Sequence, residues 1–247
     1  MANNRQPKIL FFDIESSPVE GLTWGLRETD VVHVKRNSHL LSFAAKWAHE
    51  KKTSCYALPD FPNTFKKDPR DDSKLARKLH EVLSSADIIV AHNAQFDIRK
   101  SWGRFLYHRI PAPPPARVFC TLKTARKHFF LDSNRLDALA KLLLGEGKLK
   151  HSGMSMWVRC LEGDPAAFRE MKKYNIVDVQ ILERVFNRLV PYSTSFPDLN
   201  MWTKAGACPS CQSTHVTQRG FNVAKTRRTQ RLQCQSCGHW HSGAVVK

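Results

Sequence analysis

The chain has 247 residues, 42% of them hydrophobic and 25% charged, which is enough for one sizeable core and a small appendage. Lys and Arg (39) outnumber Asp and Glu (22), and the formal net charge of +17 favours polyanionic partners, nucleic acid foremost. No apolar run approaches the ~18 residues of a membrane span. The first residues also lack the apolar core of a signal peptide, so a reducing cytoplasm is expected and disulfides are not.

Taken in chain order, Lys8 to Glu15 is an apolar run with β-branched and aromatic residues, and it reads as a buried strand. A loop rich in Ser, Pro and Gly follows. His39–Trp47 and Lys52–Leu58 read as two further strands, forming a meander with the first. Asp72 to Ser85 has helical spacing, with Leu75, Leu79, Val82 and Leu83 on one face and Asp72 or Ser73 as N-cap. Asp87–Ala91 is a short buried strand, and Gln95–Arg109 is an amphipathic helix stopped by the proline loop at 111–115. A strand over Arg117–Thr121 and a helix over Leu122–Phe129 come next. Asn134–Leu144 is a helix with a stripe of Leu136, Leu139, Ala140 and Leu143, ended by Gly145. Asp164-Pro165 opens a helix that continues through Tyr174 and Asp178 to about Leu189. Three strands followed by alternating helix and strand predict an α/β layer fold with a mixed sheet. Residues 191–206 mix Pro, Ser, Thr and Gly and read as a linker between a domain over 1–190 and a small one over 207–247.

The acids in this framework are placed oddly. Asp13 and Glu15 lie two apart on a strand, so both side chains point to one face. They are either two solvated acids at a strand end or a pair whose repulsion a hard divalent cation removes. Asp97, just after the second buried strand, is either a helix cap or a third acid of the same site. Tyr174 and Asp178 share a helix face, and the neighbours Ile176, Val177, Val179 and Ile181 predict a buried segment in which an Asp needs a partner.

In this order and spacing the motifs resemble those of the DnaQ-like exonucleases of the RNase H-like superfamily. Phe11-Phe-Asp13-Ile-Glu15-Ser resembles their first motif. His92-Asn93-Ala-Gln-Phe96-Asp97 resembles the second, and Tyr174-x-x-x-Asp178 the third motif of the tyrosine (DEDDy) subclass. Leu136–Ala140 and Trp157…Gly163-Asp164 resemble segments of bacteriophage exonucleases, which implies the host cytoplasm as the location. The resemblance spans about Lys8 to Leu189 and implies a five-stranded RNase H-like sheet flanked by helices and a 3′-to-5′ exonuclease using two Mg²⁺ or Mn²⁺ ions. It implies that Asp13 bridges both ions, that Glu15 and Asp178 complete the shell of the first ion, and that Asp97 holds the second ion. Tyr174 would orient the attacking water, since a phenol titrates too high to be a good base by itself. Asn93 would contact the terminal nucleotide, and Phe96 would pack beneath the site. DNA is the expected substrate rather than RNA, and proofreading for a separate polymerase is one role this allows. At Cys120-Thr121 relatives often carry Asp-Thr, so this place supplies no acid here. His92 is read as structural or substrate-facing, and His151 as a loop residue within reach of substrate.

The C-terminal stretch speaks for a metal. Cys208-Pro-Ser-Cys211 and Cys234-Gln-Ser-Cys237 are paired knuckles separated by residues 212–233, and four thiolates make a closed structural zinc site. Cys55, Cys120 and Cys160 are scattered and read as small buried residues. From 204 to 247 there are basic residues, among them Arg219, Lys225, Arg227, Arg228 and Arg231, and no Asp or Glu. With Phe221 and Trp240 they suit single strands or backbone phosphates, the alternative being a folding cap or a protein-docking module. Rival functions are an exoribonuclease, an RNase H-like endonuclease or resolvase, and a non-catalytic replication accessory protein.

Overall fold

The computed structural model describes residues 5–27, 29–147, 149, 152–203 and 206–246. Its centre is β1 (Ile9–Ser16), followed by a short hairpin of β2 (Glu20–Leu22) and β3 (His33–Arg36), then β4 (Leu40–Trp47) and β5 (Ser54–Ala57). Helices α1 (Pro62–Lys67) and α2 (Ser73–Ser84) precede β6 (Ile88–Ala91), α3 (Ala94–Tyr107), β7 (Arg117–Cys120) and α4 (Thr121–His128). Helices α5 (Leu136–Leu144), α6 (Met154–Leu161) and α7 (Pro165–Leu189) complete the body. The five-stranded sheet has the order β5-β4-β1-β6-β7, antiparallel from β5 to β1 and parallel from β1 to β7. This is the mixed sheet with flanking helices that the pattern predicts. The β2–β3 hairpin, α1 and α6 lie outside that pattern; the hairpin falls where the sequence reads as a plain loop.

Alternation along β1 divides the core. Leu10, Phe12 and Ile14 face α2 and α3, packing with Leu75, Leu79, Ile98 and Phe105. Ile9 and Phe11 face the other layer, with Leu139 of α5 and Val179, Leu182, Val185 and Phe186 of α7. Asp13 and Glu15 continue the odd-numbered row, so the face that is oily at the start of the strand becomes anionic at its end. The 25-residue α7 is started by Asp164, whose carboxylate accepts from the Ala166 N–H at 2.7 Å, with Pro165 at its first position. A nearly buried ion pair, Lys46 Nζ to Glu183 at 2.6 Å, fixes α7 to β4.

Asp72 ties three elements of the other layer together. Its fully buried carboxylate accepts from Leu40 N–H at 2.8 Å, from Arg104 at 2.7 and 2.6 Å, and contacts His108 Nε2 at 2.5 Å. At the end of α3, Ile110 N–H bonds to Phe105 C=O at 2.9 Å and Arg109 N–H to Leu106 C=O at 3.1 Å, the paired bonds of a Schellman turn. The left-handed position belongs to Arg109, at φ 53°, where a glycine would be cheaper by about 1 kcal/mol.

The connecting segment is packed rather than free. Phe196 lies edge-on to Phe119 and Phe186 at 5.2 and 5.3 Å, and Leu199 is buried with that cluster. Leu199 N–H donates to Pro209 C=O, and His239 Nδ1 lies 2.7 Å from Pro191 C=O. Beyond it, β8 (Val216–Val223), β9 (Arg228–Cys234) and β10 (Trp240–Val246) form an antiparallel sheet in the order β10-β9-β8. No helix among the described residues is long and apolar enough to cross a membrane.

Candidate active site

The site begins where the sheet opens. Parallel pairing of β1 with β6 covers only Ile9 to Phe11, opposite Ile88 to Val90, and beyond Phe11 the two strands part. This leaves the Ile14 N–H facing the gap, and the Asp97 carboxylate takes it at 3.4 Å. On its other side β1 stays paired with β4, with Asp13 opposite Ala44 and Glu15 opposite Ser42, until a bulge between Glu15 and Ser16. Asp13 and Glu15 thus stand at the carboxyl end of the central strand, in the crevice where α/β sheets place their chemistry.

Helix α7 delivers the fourth acid from above. Carboxylate oxygens of Asp13, Glu15 and Asp178 lie within 4.8 Å of one another, with Asp178 buried. Asp97 stands outside that trio but is itself buried, and its carboxyl is held well above the usual carboxylate range, first by burial and then by the Asp13 charge. Four acids so gathered repel, and an oxygen-coordinated divalent cation is the partner their chemistry fits.

Sequence reasoning missed one residue here. Asn175 is fully buried on α7; its Nδ2 donates to Asp13 Oδ2 at 2.7 Å, and its Oδ1 accepts from Ser42 Oγ at 3.2 Å. It ties the helix of Asp178 to the strand of Asp13 and Glu15. The signal was available: Met171, Asn175, Asp178 and Leu182 form one stripe at helical spacing, and polar residues inside such a stripe ask for partners.

The remaining expected residues divide. Tyr174 is half-buried beside the acids, edge-on to Trp157 of α6 at 6.4 Å. Asn93 is exposed in the left-handed conformation, φ 65°, at the turn into α3. His92 Nδ1 lies 2.9 Å from Thr121 Oγ1, which places the ring in a brace between β6 and α4. Cys120, at the place where an acid was lacking, caps α4 by accepting from the Lys123 N–H. The reading of His151 lies outside the described residues.

Phe96 needs correction. It does not pack beneath the site but is 51% exposed. The buried stripe of α3 is Ala94, Asp97, Ile98, Ser101 and Phe105, and Phe96 falls on the opposite arc. It lines a groove of about 430 Å³ with Ser16, Lys100, Met154 and Trp157, next to the acids. On the far side of the same turn His92 and Asn93 enter a wider cleft of about 890 Å³ with Arg126 and Arg135.

The cysteines form a second cluster. Cys208 and Cys237 sulfurs are 3.7 Å apart, Cys211 and Cys234 sulfurs 3.6 Å, and all four fall within 4.8 Å. A disulfide would bring sulfurs to about 2 Å, whereas a tetrahedron around Zn²⁺ at about 2.3 Å has edges of about 3.8 Å. Burial pushes Cys208 up to about 11; for Cys234 burial is outweighed by the N–H groups of Cys237 and Ser236, which bring it to about 7. The basic side chains sit on this small sheet. Arg228 stacks over Phe221 at 3.7 Å and Arg231 lies over Trp240 at 5.5 Å, while Arg219, Lys225 and Arg227 are exposed.

Comparison with known proteins gives a family. Residues 10–190 match the RNase_H_2 family model, described as RNase_H superfamily. No curated protein matches the chain.

Proposed function

The chain belongs to the RNase H superfamily, whose members are mostly nucleases, and we propose that it is a metal-dependent 3′-to-5′ exonuclease of the DnaQ-like tyrosine subclass acting on DNA ends. One observation carries the reading: Asp13 and Glu15 of β1 and Asp178 of α7 converge within 4.8 Å, with Asp97 of α3 bonded to the same strand through the Ile14 N–H and Tyr174 one turn from Asp178. Mg²⁺ or Mn²⁺ at two neighbouring sites would neutralise the charge on the scissile phosphate and on the attacking and departing oxygens. Asp13 would be shared by the two sites, Glu15 and Asp178 would complete one of them, and Asp97 would serve the other.

The chain's own groups do the rest. Asn175 holds Asp13 in place. The Tyr174 hydroxyl orients a water whose oxygen bonds to phosphorus as the bond from phosphorus to the upstream 3′ oxygen breaks; the water gives up a proton to solvent, the departing 3′ oxygen takes one up, and a nucleoside 5′-monophosphate leaves. Asn93 hydrogen-bonds the terminal nucleotide and Phe96 stacks on a base in the groove beside the acids. In this reading residues 1–190 form the catalytic domain, and 207–247 form a zinc ribbon, held by Cys208, Cys211, Cys234 and Cys237. Arg219, Lys225, Arg227, Arg228 and Arg231 of that ribbon grip the strand's backbone. Proofreading beside a separate polymerase is the task such an activity serves.

The test is degradation of matched 3′-labelled linear DNA and RNA, single- and double-stranded, with circular single strands alongside, in Mg²⁺ or Mn²⁺. Labelled mononucleotide released from linear DNA, with circles left intact, is the expected result. Cutting of circles would assign an endonuclease instead, and preference for RNA an exoribonuclease.

A further inference from the structure

Helix α3 presents two faces. One carries Ile98 and Phe105 into the core; the neighbouring arc leaves Trp102 and Leu106, four residues apart, 54% and 82% exposed. After the Schellman turn Ile110 folds back into the core, and the chain then runs through Pro113, Pro114 and Pro115 before joining β7. Val118 of β7 is also exposed, and β7 is the last strand of its sheet. Helix, proline run and edge strand enclose an apolar groove of about 530 Å³. Every lining residue is apolar or aromatic, and no acid is among them. The prolines offer no N–H groups and hold a fixed extended backbone, so this wall is formed before anything binds.

The rim is charged with one sign. Arg99 follows Ile98 and Arg109 precedes Ile110, so each adjoins a lining residue, and both are exposed. Neither makes an ion pair among the described residues; Arg117, which precedes Val118 on β7, points to the other face of the sheet and donates to Ser195 C=O at 3.3 Å. Arg109 holds its place although a left-handed residue there favours glycine.

From this we infer that the groove between α3 and β7 docks an acidic, apolar peptide segment of a partner protein. Its bulky side chains seat on Trp102 and Leu106, and its carboxylates meet Arg99 and Arg109. An oily, pre-shaped slot bordered by positive charge along α3 has the anatomy of a protein interface. Nucleic acid fits poorly, because the slot floor offers no cation for phosphate and, apart from the Trp102 ring N–H, no polar side-chain group for a base edge. A second copy of the chain fits poorly as well, since each copy carries +17.

The test uses the full chain and a labelled peptide of about ten residues, Asp and Glu flanking Leu and Phe, read by anisotropy. One control peptide replaces the acids with Lys, and another replaces Leu and Phe with Ser. The acidic apolar peptide should bind, and both controls should fail. Trp102→Ser with Leu106→Ser, and separately Arg99→Glu with Arg109→Glu, should each weaken binding by about tenfold or more, while release of mononucleotides from a free 3′ end stays at the unaltered rate. Absence of peptide binding, equal binding of either control, or binding that survives both pairs of substitutions would overturn the inference. Displacement of the peptide by an oligonucleotide in a competition would overturn it too, and would make the groove a nucleic-acid surface.

Discussion

Asn175 Nδ2 donates to Asp13 Oδ2 at 2.7 Å, so the helix carrying Asp178 holds directly the strand acid that faces it. Asn175 touches the ligand rather than the substrate, and it is a positioning residue. Asn175→Ala is expected to raise the Mg²⁺ concentration needed for half-maximal nuclease activity by roughly 10–100-fold, as loss of outer partners does at metal sites. A titration of rate against Mg²⁺ checks this. An unchanged midpoint with a lower ceiling would mean that Asn175 does not set ligand geometry.

Crowded acids cost stability. Asp97 is buried and its ionised form is disfavoured by burial and by Asp13. In chelator, Asp97→Asn and Asp178→Asn should each stabilise the fold by roughly 1–2 kcal/mol, which is several degrees of melting temperature for a chain of this size. Both should abolish nuclease activity, and Mn²⁺ should raise the melting temperature of the unaltered chain much more than that of either variant. Thermal melts with and without Mn²⁺ decide it, and a destabilised Asp178→Asn chain would count against a repelling cluster.

Asp72 has the opposite sign. Its burial raises its pKa, but Arg104, the Leu40 N–H and His108 outweigh that and hold the carboxyl below the usual range. A carboxyl lowered in the folded state contributes stability that is full above the ordinary Asp value of about 4 and lost as pH falls through the folded value. Asp72→Ala, which strands Arg104 beside His108, should cost about 3–5 kcal/mol at neutral pH. Denaturant melts from pH 7 down to pH 3 should show the variant losing less on acidification than the parent.

Tyr174→Phe removes a hydroxyl and leaves the ring packed on Trp157. A tenfold to hundredfold fall in single-turnover rate is expected, with the Mg²⁺ midpoint unmoved, if the hydroxyl orients water. Equal rates would deprive it of that role.

For the cysteine cluster, Cys234→Ser should release one zinc per chain, measured by metal analysis of the purified protein. Affinity for single-stranded DNA should then fall and depend less steeply on salt, by about 0.7 in the logarithmic slope for each phosphate that the ribbon no longer neutralises. Unchanged affinity at every salt concentration would leave the ribbon with a role in folding alone.

Much of this arrangement can be read before any fold is known. Strands β1 and β6 announce themselves as apolar runs, and Asp13 and Glu15 fall at a strand end where side-chain period alone predicts a shared face. The features that sequence leaves hidden are governed by residues distant along the chain. The β2–β3 hairpin has strands too short for periodicity to register. Helix α6 buries chiefly Met156 and Cys160, too few residues to mark a face. Phe96 misleads for a different reason: its neighbour Asp97 draws attention to the motif, while helical spacing alone puts its ring outside. Asn175 is within reach of the same spacing rule.

The bonds from Leu199 to Pro209 and from His239 to Pro191 tie the small sheet to the segment that follows α7. A join so tied turns the molecule into a ruler. If both sheets grip one strand, the span between them sets the shortest oligonucleotide that feels both, and digestion should slow abruptly once a shrinking strand passes that length, where a flexible tether would blur the step into a gradual decline.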